Sequence, residues 1–215
     1  MTGTTRKPRN EALVRYIGTE IIPRYAHFDK AHRVEHVRTV IEQSLLLAEH
    51  YDVDPDMVYT VAAYHDTGLA EGRETHHTVS ARILRADQRL REWFTPEQID
   101  TMADAAEDHR ASSRHEPRTI YGRIVAEADR IIDTDTIVRR TVQFGLSHHP
   151  ELDREGQYER VCAHISEKYD YGGYLRLWIP ESPNASRLEA FRRLFRDKEA
   201  FRRKFEEMYA EEVRP

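Results

Sequence analysis

A histidine and an aspartate stand side by side at the end of an apolar segment of the chain. The segment VYTVAAY precedes His65 and Asp66, and Gly68 follows them. Because adjacent residues of a helix point about 100° apart, these two side chains do not share a helical face. A carboxylate buried there needs a cation, a metal ion or strong hydrogen bonds, since an unpaired buried charge is unfavourable. The pair therefore indicates a polar site where a buried helix ends.

Other acids and imidazoles occupy positions that otherwise look like core. Asp129 lies within IVAEADRIID, whose apolar neighbours indicate a buried helix, and His32 and His36 are four residues apart. Residues four apart share one face if a helix includes both. Imidazole nitrogens and carboxylate oxygens together suit a divalent cation, with Fe, Mn, Co, Ni, Zn and Mg all open. Such an ion lowers the pKa of bound water and polarises a phosphoryl oxygen, which hydrolysis requires.

The order of these groups resembles a known family. HRVEHVRTV, AAYHDTGL and AEADRIID follow one another as do the motifs of the HD-domain superfamily of metal-dependent phosphohydrolases. The resemblance extends over about residues 28–145. It implies a helical bundle whose metal ligands are a histidine, an adjacent His-Asp pair and a later aspartate. The ligands implied for this chain are His36, His65, Asp66 and Asp129.

Two more segments extend the resemblance to further histidines. HHTVSARIL and MADAAEDHRAS resemble stretches that supply extra histidines in two-metal branches of the family, and they indicate His76 and His109. We expect one tightly held ion, with these histidines contacting substrate or a weaker second ion. Many members carry a lysine or an acid about three residues after the pair, where this chain has Leu69. The general acid therefore stays open between Glu71 and protonated His76 or His109.

Cations that bind a substrate phosphate are expected beside the ligands. Arg33, Arg110 and Arg130 are the candidates, and Arg33 and Arg110 are favoured. His32 is read either as a substrate contact or as a cap or orienting residue. The expected catalytic residues are Asp66, Glu71, His76 and His109.

Composition narrows the class of protein. The chain has 215 residues and a net charge of -5, which argues against broad binding of nucleic-acid polymers. It contains no apolar run near the roughly 18–20 residues of a membrane span, and its N-terminus lacks the apolar core of a signal peptide. One cysteine, Cys162, excludes an intramolecular disulfide and fits a reducing compartment. A cytoplasmic protein is expected.

Helical periodicity dominates the chain, so the predicted fold is all-α. Gly68 is expected in the left-handed position after a helix end, and YDYGGYLRLWIPESP predicts a small irregular insert. The principal predicted helices are a first one stopping before Pro23, one from Pro55 to near Gly68, one opened by a capping box at Thr95, a long one over 120–144, one over 158–169 and a last one over 186–212.

The expected organisation is an HD-domain helical bundle with an appended helical piece. Residues 1–9 are a disordered lead-in, 10–150 the metal-binding core, and 151–215 a C-terminal extension packed on the core or on a second copy in a homodimer. The expected activity is metal-dependent hydrolysis of a phosphate ester or anhydride in a nucleotide or related small molecule. The alternative is a non-catalytic metal or nucleotide sensor that signals through its C-terminal helix.

Overall fold

A computed structural model describes residues 7–28, 33–113 and 115–214 of the chain. Within these ranges all regular structure is helical and no strand occurs, which confirms the all-α prediction. The α-helices are α1 (Glu11–Tyr16), α2 (Val34–Ala48), α3 (Pro55–Tyr64), α4 (His76–Ala86), α5 (Pro96–Asp108), α6 (Ile120–Asp129), α7 (Thr134–His148), α8 (Arg154–Lys168), α9 (Asn184–Arg196) and α10 (Lys198–Glu212).

The chain forms two compact units. The first comprises the described residues up to Arg130 together with Trp178–Ser182, and the second comprises Ile131–Leu177 and the described residues from Pro183 onward. In the first unit every residue of α3 except Asp56 is buried, so this helix lies at the centre of the core. It packs against α2, α5 and α6, while α4 packs on α5. In the second unit α7 packs against α8 and α10, and α9 packs against α10.

These compact units divide the chain at a different point from the expected boundary at residue 150. Helix α7 belongs with the residues that follow it, because its packing partners are α8 and α10. The expected lead-in lies mostly in residues 1–6, which are outside the described part of the chain. No helix in the described ranges has the length and apolar character needed to cross a bilayer.

Two predicted helix starts are confirmed by their caps. The Asp54 side chain accepts a hydrogen bond from the backbone N–H of Asp56, and Pro55 occupies the first position of α3. Thr95 and Gln98 form the reciprocal capping box at the start of α5. The sequence predicts these starts correctly because the capping hydrogen bonds involve only residues in the first turn of each helix.

The expected stop before Pro23 is wrong. After α1 the chain continues as a π-helical segment, Ile17–Ile21, and then as a 3₁₀ helix, Ile22–His27. Pro23 falls in the first turn of that 3₁₀ helix, where its missing N–H removes no hydrogen bond. The proline therefore changes the kind of helix without ending it.

The two longest predicted helices are each divided in the structure. The helix predicted over 120–144 is interrupted after α6, where the Asp133 side chain caps α7 by accepting a hydrogen bond from the Thr136 N–H. The helix predicted over 186–212 is interrupted at Asp197, whose side chain caps α10 by accepting a hydrogen bond from the Ala200 N–H. Aspartate side chains compete for exposed backbone donors and so favour a new helix start over continuation. The same effect moves the start of α8 upstream of Tyr158, because Asp153 caps it.

The irregular insert is confirmed as non-helical. No helix or strand occupies residues 169–183, and Gly173 lies close to the backbone of Lys168. The segment Trp178–Ser182 belongs to the first unit: the Trp178 N–H donates to Glu127 Oε2 over 2.7 Å and Ile179 is buried in the core.

The expected left-handed conformation of Gly68 is wrong, and a different constraint explains this glycine. Gly72 is the glycine with positive φ, at 113°, among the described residues. Gly68 is buried against the first turn of α4, where a Cβ would lie 2.7 Å from the backbone nitrogen of Ser80. Its own N–H donates to Ser80 Oγ over 2.9 Å. A side chain at this position would push α4 away from the end of α3.

We expect Gly68→Ala to lower the free energy of unfolding by about 1–3 kcal/mol, because backbone atoms must move to admit the methyl group. The matched control is Gly18→Ala, since a Cβ there meets nothing within 4 Å. That control should leave stability unchanged or raise it by up to about 1 kcal/mol. Urea unfolding of the three proteins measures the difference, and equal midpoints for the two variants would contradict the close-approach explanation.

Candidate metal centre

Six acids and imidazoles from five parts of the first unit converge at one place. Each lies at or near the end of a helix, where the side chain can leave the helix surface. The six are His36 in the first turn of α2, His65 and Asp66 directly after α3, His76 at the first position of α4, His109 directly after α5 and Asp129 at the last position of α6.

Four of these residues form a first group of donor atoms. The Nε2 atoms of His36 and His65 are 3.4 Å apart. Asp66 Oδ2 lies 3.2 Å from His65 Nε2 and 3.6 Å from His36 Nε2. Asp129 Oδ1 lies 3.2 Å from His36 Nε2 and 3.8 Å from His65 Nε2. The four ligands implied by the family resemblance are therefore adjacent in space.

The other oxygen of Asp66 belongs to a second group. Asp66 Oδ1 lies 3.5 Å from His76 Nε2 and 3.4 Å from His109 Nε2. The two Nε2 atoms are themselves 3.2 Å apart. One carboxylate thus faces a pair of imidazoles with each of its oxygens.

These separations fit donors arranged around a common cation. Two ligands at about 2.0–2.2 Å from an ion, and about 90–109° apart, are separated by about 2.8–3.6 Å. The distances given above fall in that interval except for His65 to Asp129, and the two tightest clusters are His36, His65 and Asp66, and Asp66, His76 and His109. Mixed imidazole and carboxylate donors suit divalent first-row metals and Mg. Each group can hold a divalent ion.

Backbone carbonyls fix the tautomer of three imidazoles. The Nδ1 atoms of His65, His76 and His109 lie 2.7, 2.7 and 2.6 Å from the carbonyl oxygens of Ala62, Arg73 and Ala106, respectively. A carbonyl only accepts, so each Nδ1 carries the hydrogen and each neutral ring has its lone pair on Nε2. Lone pairs of His76 and His109 that face each other require a proton or a metal ion between them.

Burial makes the charges at this centre interdependent. Asp66 and His65 are 3% and 0% exposed, respectively. Burial alone would raise the pKa of Asp66, but the charge of His65 and the hydrogen bond with His109 hold that pKa well below its usual range. For His36, burial opposes the charged form, yet hydrogen bonds with Asp129 and Asp66 raise its pKa to about 9. Burial and the charge of His109 lower the pKa of His76 to about 4.

The members of the first group differ in their exposure. The Asp129 side chain retains 25% of its surface, whereas that of His65 retains none. Burial favours the neutral form of Asp129, but its hydrogen bond with His36 lowers its pKa below the usual range. Asp129 is therefore the most exposed member of the first group.

Tyr25 is a component of the site that sequence reasoning missed. Its buried hydroxyl donates to the Ala63 carbonyl over 2.9 Å and accepts from the Asp66 N–H over 3.2 Å. The hydroxyl thereby satisfies two backbone groups at the point where α3 ends. The segment IIPRYAH carries no local signal for this role, because the two partners are about 40 residues further along the chain.

Two residues expected to act on substrate have other partners. Glu71 is exposed and its carboxylate accepts from Arg82 Nη2 over 2.6 Å. The Arg110 guanidinium donates to the Glu74 carbonyl and, over 2.9 Å, to Ser112 Oγ, and it lies 3.4 Å from His77 Nδ1. Arg110 therefore connects the residues after α5 to the start of α4.

The remaining candidates lie in different environments. Arg33 is exposed at the cap position of α2, one turn from His36. Arg130 is buried, and its guanidinium donates a hydrogen bond to the Ala126 carbonyl. This contact stabilises the C-terminal end of α6. His32 lies outside the described residues, and its expected role stays a prediction.

The fold and the centre together define an all-helical protein with a buried His/Asp site suited to divalent metal. Residues 33–132 match the family model of the HD domain. The predicted resemblance to the HD-domain superfamily is therefore confirmed over this part of the chain. The match covers 100 of the 215 residues and contains all six members of the centre. No curated protein and no solved structure matches the chain.

We expect Tyr25→Phe to weaken metal binding about 10–100-fold, because the Asp66 amide loses the partner that fixes its position. Stability should fall by about 1–3 kcal/mol, since two buried backbone groups lose a hydrogen bond. Tyr16→Phe is the matched control, because it removes a hydroxyl that donates to Asp87 Oδ2 over 2.5 Å, outside the centre. Metal competition titrations and urea unfolding separate the two effects. Equal metal affinities in the two variants would show that Tyr25 does not position Asp66.

Proposed function

We propose that the protein is a metal-dependent phosphohydrolase that uses two divalent ions and acts on a small molecule of the nucleotide type. One observation carries the proposal: the Asp66 carboxylate faces two imidazole pairs, with Oδ2 toward His36 and His65 and Oδ1 toward His76 and His109. The match of residues 33–132 to the HD domain supports hydrolysis as the reaction class.

The proposed ligand sets share one residue. His36, His65, Asp66 and Asp129 hold one ion, while Asp66, His76 and His109 hold the other. This revises the expectation of one tight ion, because the second group is as closely spaced as the first. When bound, such ions supply Lewis-acid activation of water and stabilise charge that develops on phosphoryl oxygens.

The protein fixes the orientation of the donor atoms and excludes water from the centre. Three carbonyls keep the Nε2 lone pairs of His65, His76 and His109 directed inward. Burial of the His65 and His109 rings limits water, so electrostatic interactions at the centre are weakly screened. No charge rearrangement among the ligands is then required when a substrate binds.

Proton supply favours one kind of phosphate bond. As ligands, His76 and His109 have no proton on Nε2, and Glu71 is held by Arg82 at the surface. A leaving group that needs no proton, such as the phosphate released from an anhydride, suits this arrangement better than an alkoxide does. We therefore propose phosphoanhydrides as the preferred substrates.

Substitutions at the two groups should remove ions separately. We expect two ions per chain in the wild type, about one in His109→Ala and about one in Asp129→Ala, and fewer than one in Asp66→Ala. Turnover should fall at least about 100-fold in all three, because both ions serve one reaction. His50→Ala, at an exposed position of the same unit, is the matched control and should keep both ions. Elemental analysis measures the ions, and circular dichroism verifies the helical fold.

Substrate panels test the activity itself. Metal-supplemented protein is assayed with nucleoside mono-, di- and triphosphates, dinucleoside polyphosphates and cyclic nucleotides. We expect hydrolysis of anhydrides that disappears with a chelator and returns with added metal. Two bound ions without turnover of any substrate would contradict the enzyme and support the sensor. A single ion that is lost equally in His109→Ala and Asp129→Ala would contradict the two-ion centre.

A further inference from the structure

A buried carboxylate directly precedes one of the imidazoles of the second group. Asp108 is the last residue of α5 and is 2% exposed, and His109 follows it. This acid belongs to neither group of donor atoms. A buried carboxylate is unfavourable unless cations and hydrogen bonds compensate its charge. The role of Asp108 beside the metal centre therefore depends on the partners that the fold gives it.

Arg118 supplies these partners with both its backbone and its side chain. Its N–H donates to Asp108 Oδ2 over 2.7 Å. Its guanidinium donates to Oδ1 through Nη2 over 2.9 Å, and its Nε lies 3.1 Å from each oxygen. The hydrogen bond with Asp108 raises the pKa of Arg118 above its usual value. One residue thus engages both oxygens of the acid, in the two-pronged geometry that a guanidinium permits.

This ion pair joins the end of α5 to the start of α6. Arg118 immediately precedes Thr119, the cap of α6. In the first turn of α6, a Cβ on Gly122 would lie 3.4 Å from the Asp108 Cβ, and the Asp108 side chain has no exposed surface. The two helices therefore approach closely around the carboxylate. A charge-assisted contact at this point fixes where α5 ends relative to α6.

The position of His109 depends on where α5 ends. The hydrogen bond of its Nδ1 with the Ala106 carbonyl orients the ring relative to α5, but the helix end itself must lie at the right distance from the centre. His109 Nε2 is 3.4 Å from Asp66 Oδ1 and 3.2 Å from His76 Nε2. A movement of the helix end by about 1 Å away from these atoms would exceed the separation that ligands of one ion allow.

We propose that Asp108 and Arg118 are positioning residues for His109, and that through His109 they set the affinity of the second ion. The proposal rests on the two-ion function proposed above and adds two residues that lie outside both donor groups. The first ion should keep its affinity, because the donors that it does not share come from α2, the end of α3 and the far end of α6.

Metal titration tests this role without turnover. Isothermal titration measures the binding of Mn²⁺ to the full chain, and Asp129→Ala and His109→Ala identify the first and the second ion, respectively. We expect Asp108→Asn to weaken the second ion about 10–100-fold and to leave the first unchanged. Whichever way its amide turns, an N–H group then faces a donor of Arg118.

A graded series at the arginine separates positioning from general destabilisation. Arg118→Gln should weaken the second ion less than Asp108→Asn does, because the backbone N–H of residue 118 still reaches the carboxylate. Arg118→Lys should recover part of that loss, since it restores a cation. The Arg118 side chain is 43% exposed, so these variants test the proposal even where Asp108→Asn does not fold. Circular dichroism verifies the helical content of each variant.

Matched substitutions of exposed ion pairs make the result specific. Asp100→Asn changes an acid of α5 that pairs with Arg85, and Arg89→Gln changes an arginine that pairs with Glu92. Both should bind two ions as the wild type does. Unchanged affinity for the second ion in Asp108→Asn and Arg118→Gln, equal weakening of both ions, or a wild type with one ion would overturn the positioning role. Selective loss of the second ion, with no hydrolysis of any substrate by the wild type, would sustain that role and contradict the phosphohydrolase.

Discussion

The buried carboxylate of Asp66 is the group on which the first unit depends. Its two oxygens face in different directions, and each has a pair of imidazole nitrogens within 3.6 Å. A residue inside a regular helix could not serve both pairs, because its neighbours would block one side. The end of α3 at Tyr64 is therefore a requirement of the site, and the chain satisfies the freed backbone groups with the Tyr25 hydroxyl. Gly68 then lets the first turn of α4 approach close enough for His76 to reach the carboxylate.

The same centre couples metal binding to the stability of the fold. Without an ion, protons must balance the acids, which is why the pKa of His36 is raised and that of Asp66 is lowered. A divalent ion replaces those protons and adds its binding free energy to the folded state alone, in proportion to the logarithm of its concentration over its dissociation constant. One donor group comes from α2, α6 and the end of α3, and the other from α4, the end of α5 and Asp66, so ions at the two groups would together connect most of the core of this unit.

The sequence alone predicts the features of the fold and the site that depend on interactions within short segments. The caps at Asp54 and Thr95, the helical class and the His-Asp motif order are properties of short segments, and they are read directly. Hydrogen bonds between residues that are distant along the chain could not be predicted from the sequence. Nothing near Tyr25 indicates that its hydroxyl meets Asp66, and nothing near Glu71 indicates that Arg82 engages it. Helix breaks at Asp133 and Asp197 were missed because apolar periodicity continues across a single capping residue.

The number of ions shows most clearly why spacing along the chain is not enough. Motif order indicates which residues approach a metal, but an aspartate can use one oxygen or both. Only the positions of Oδ1 and Oδ2 relative to the imidazoles distinguish these cases. In the proposed two-ion arrangement, the shared acid leaves His76 and His109 as ligands, so they would not serve as proton donors. Because Glu71 is also paired with Arg82, the proposed reaction favours bonds whose leaving group is already a stable anion. The geometry of one carboxylate thus connects the proposed number of ions to the proposed kind of phosphate bond.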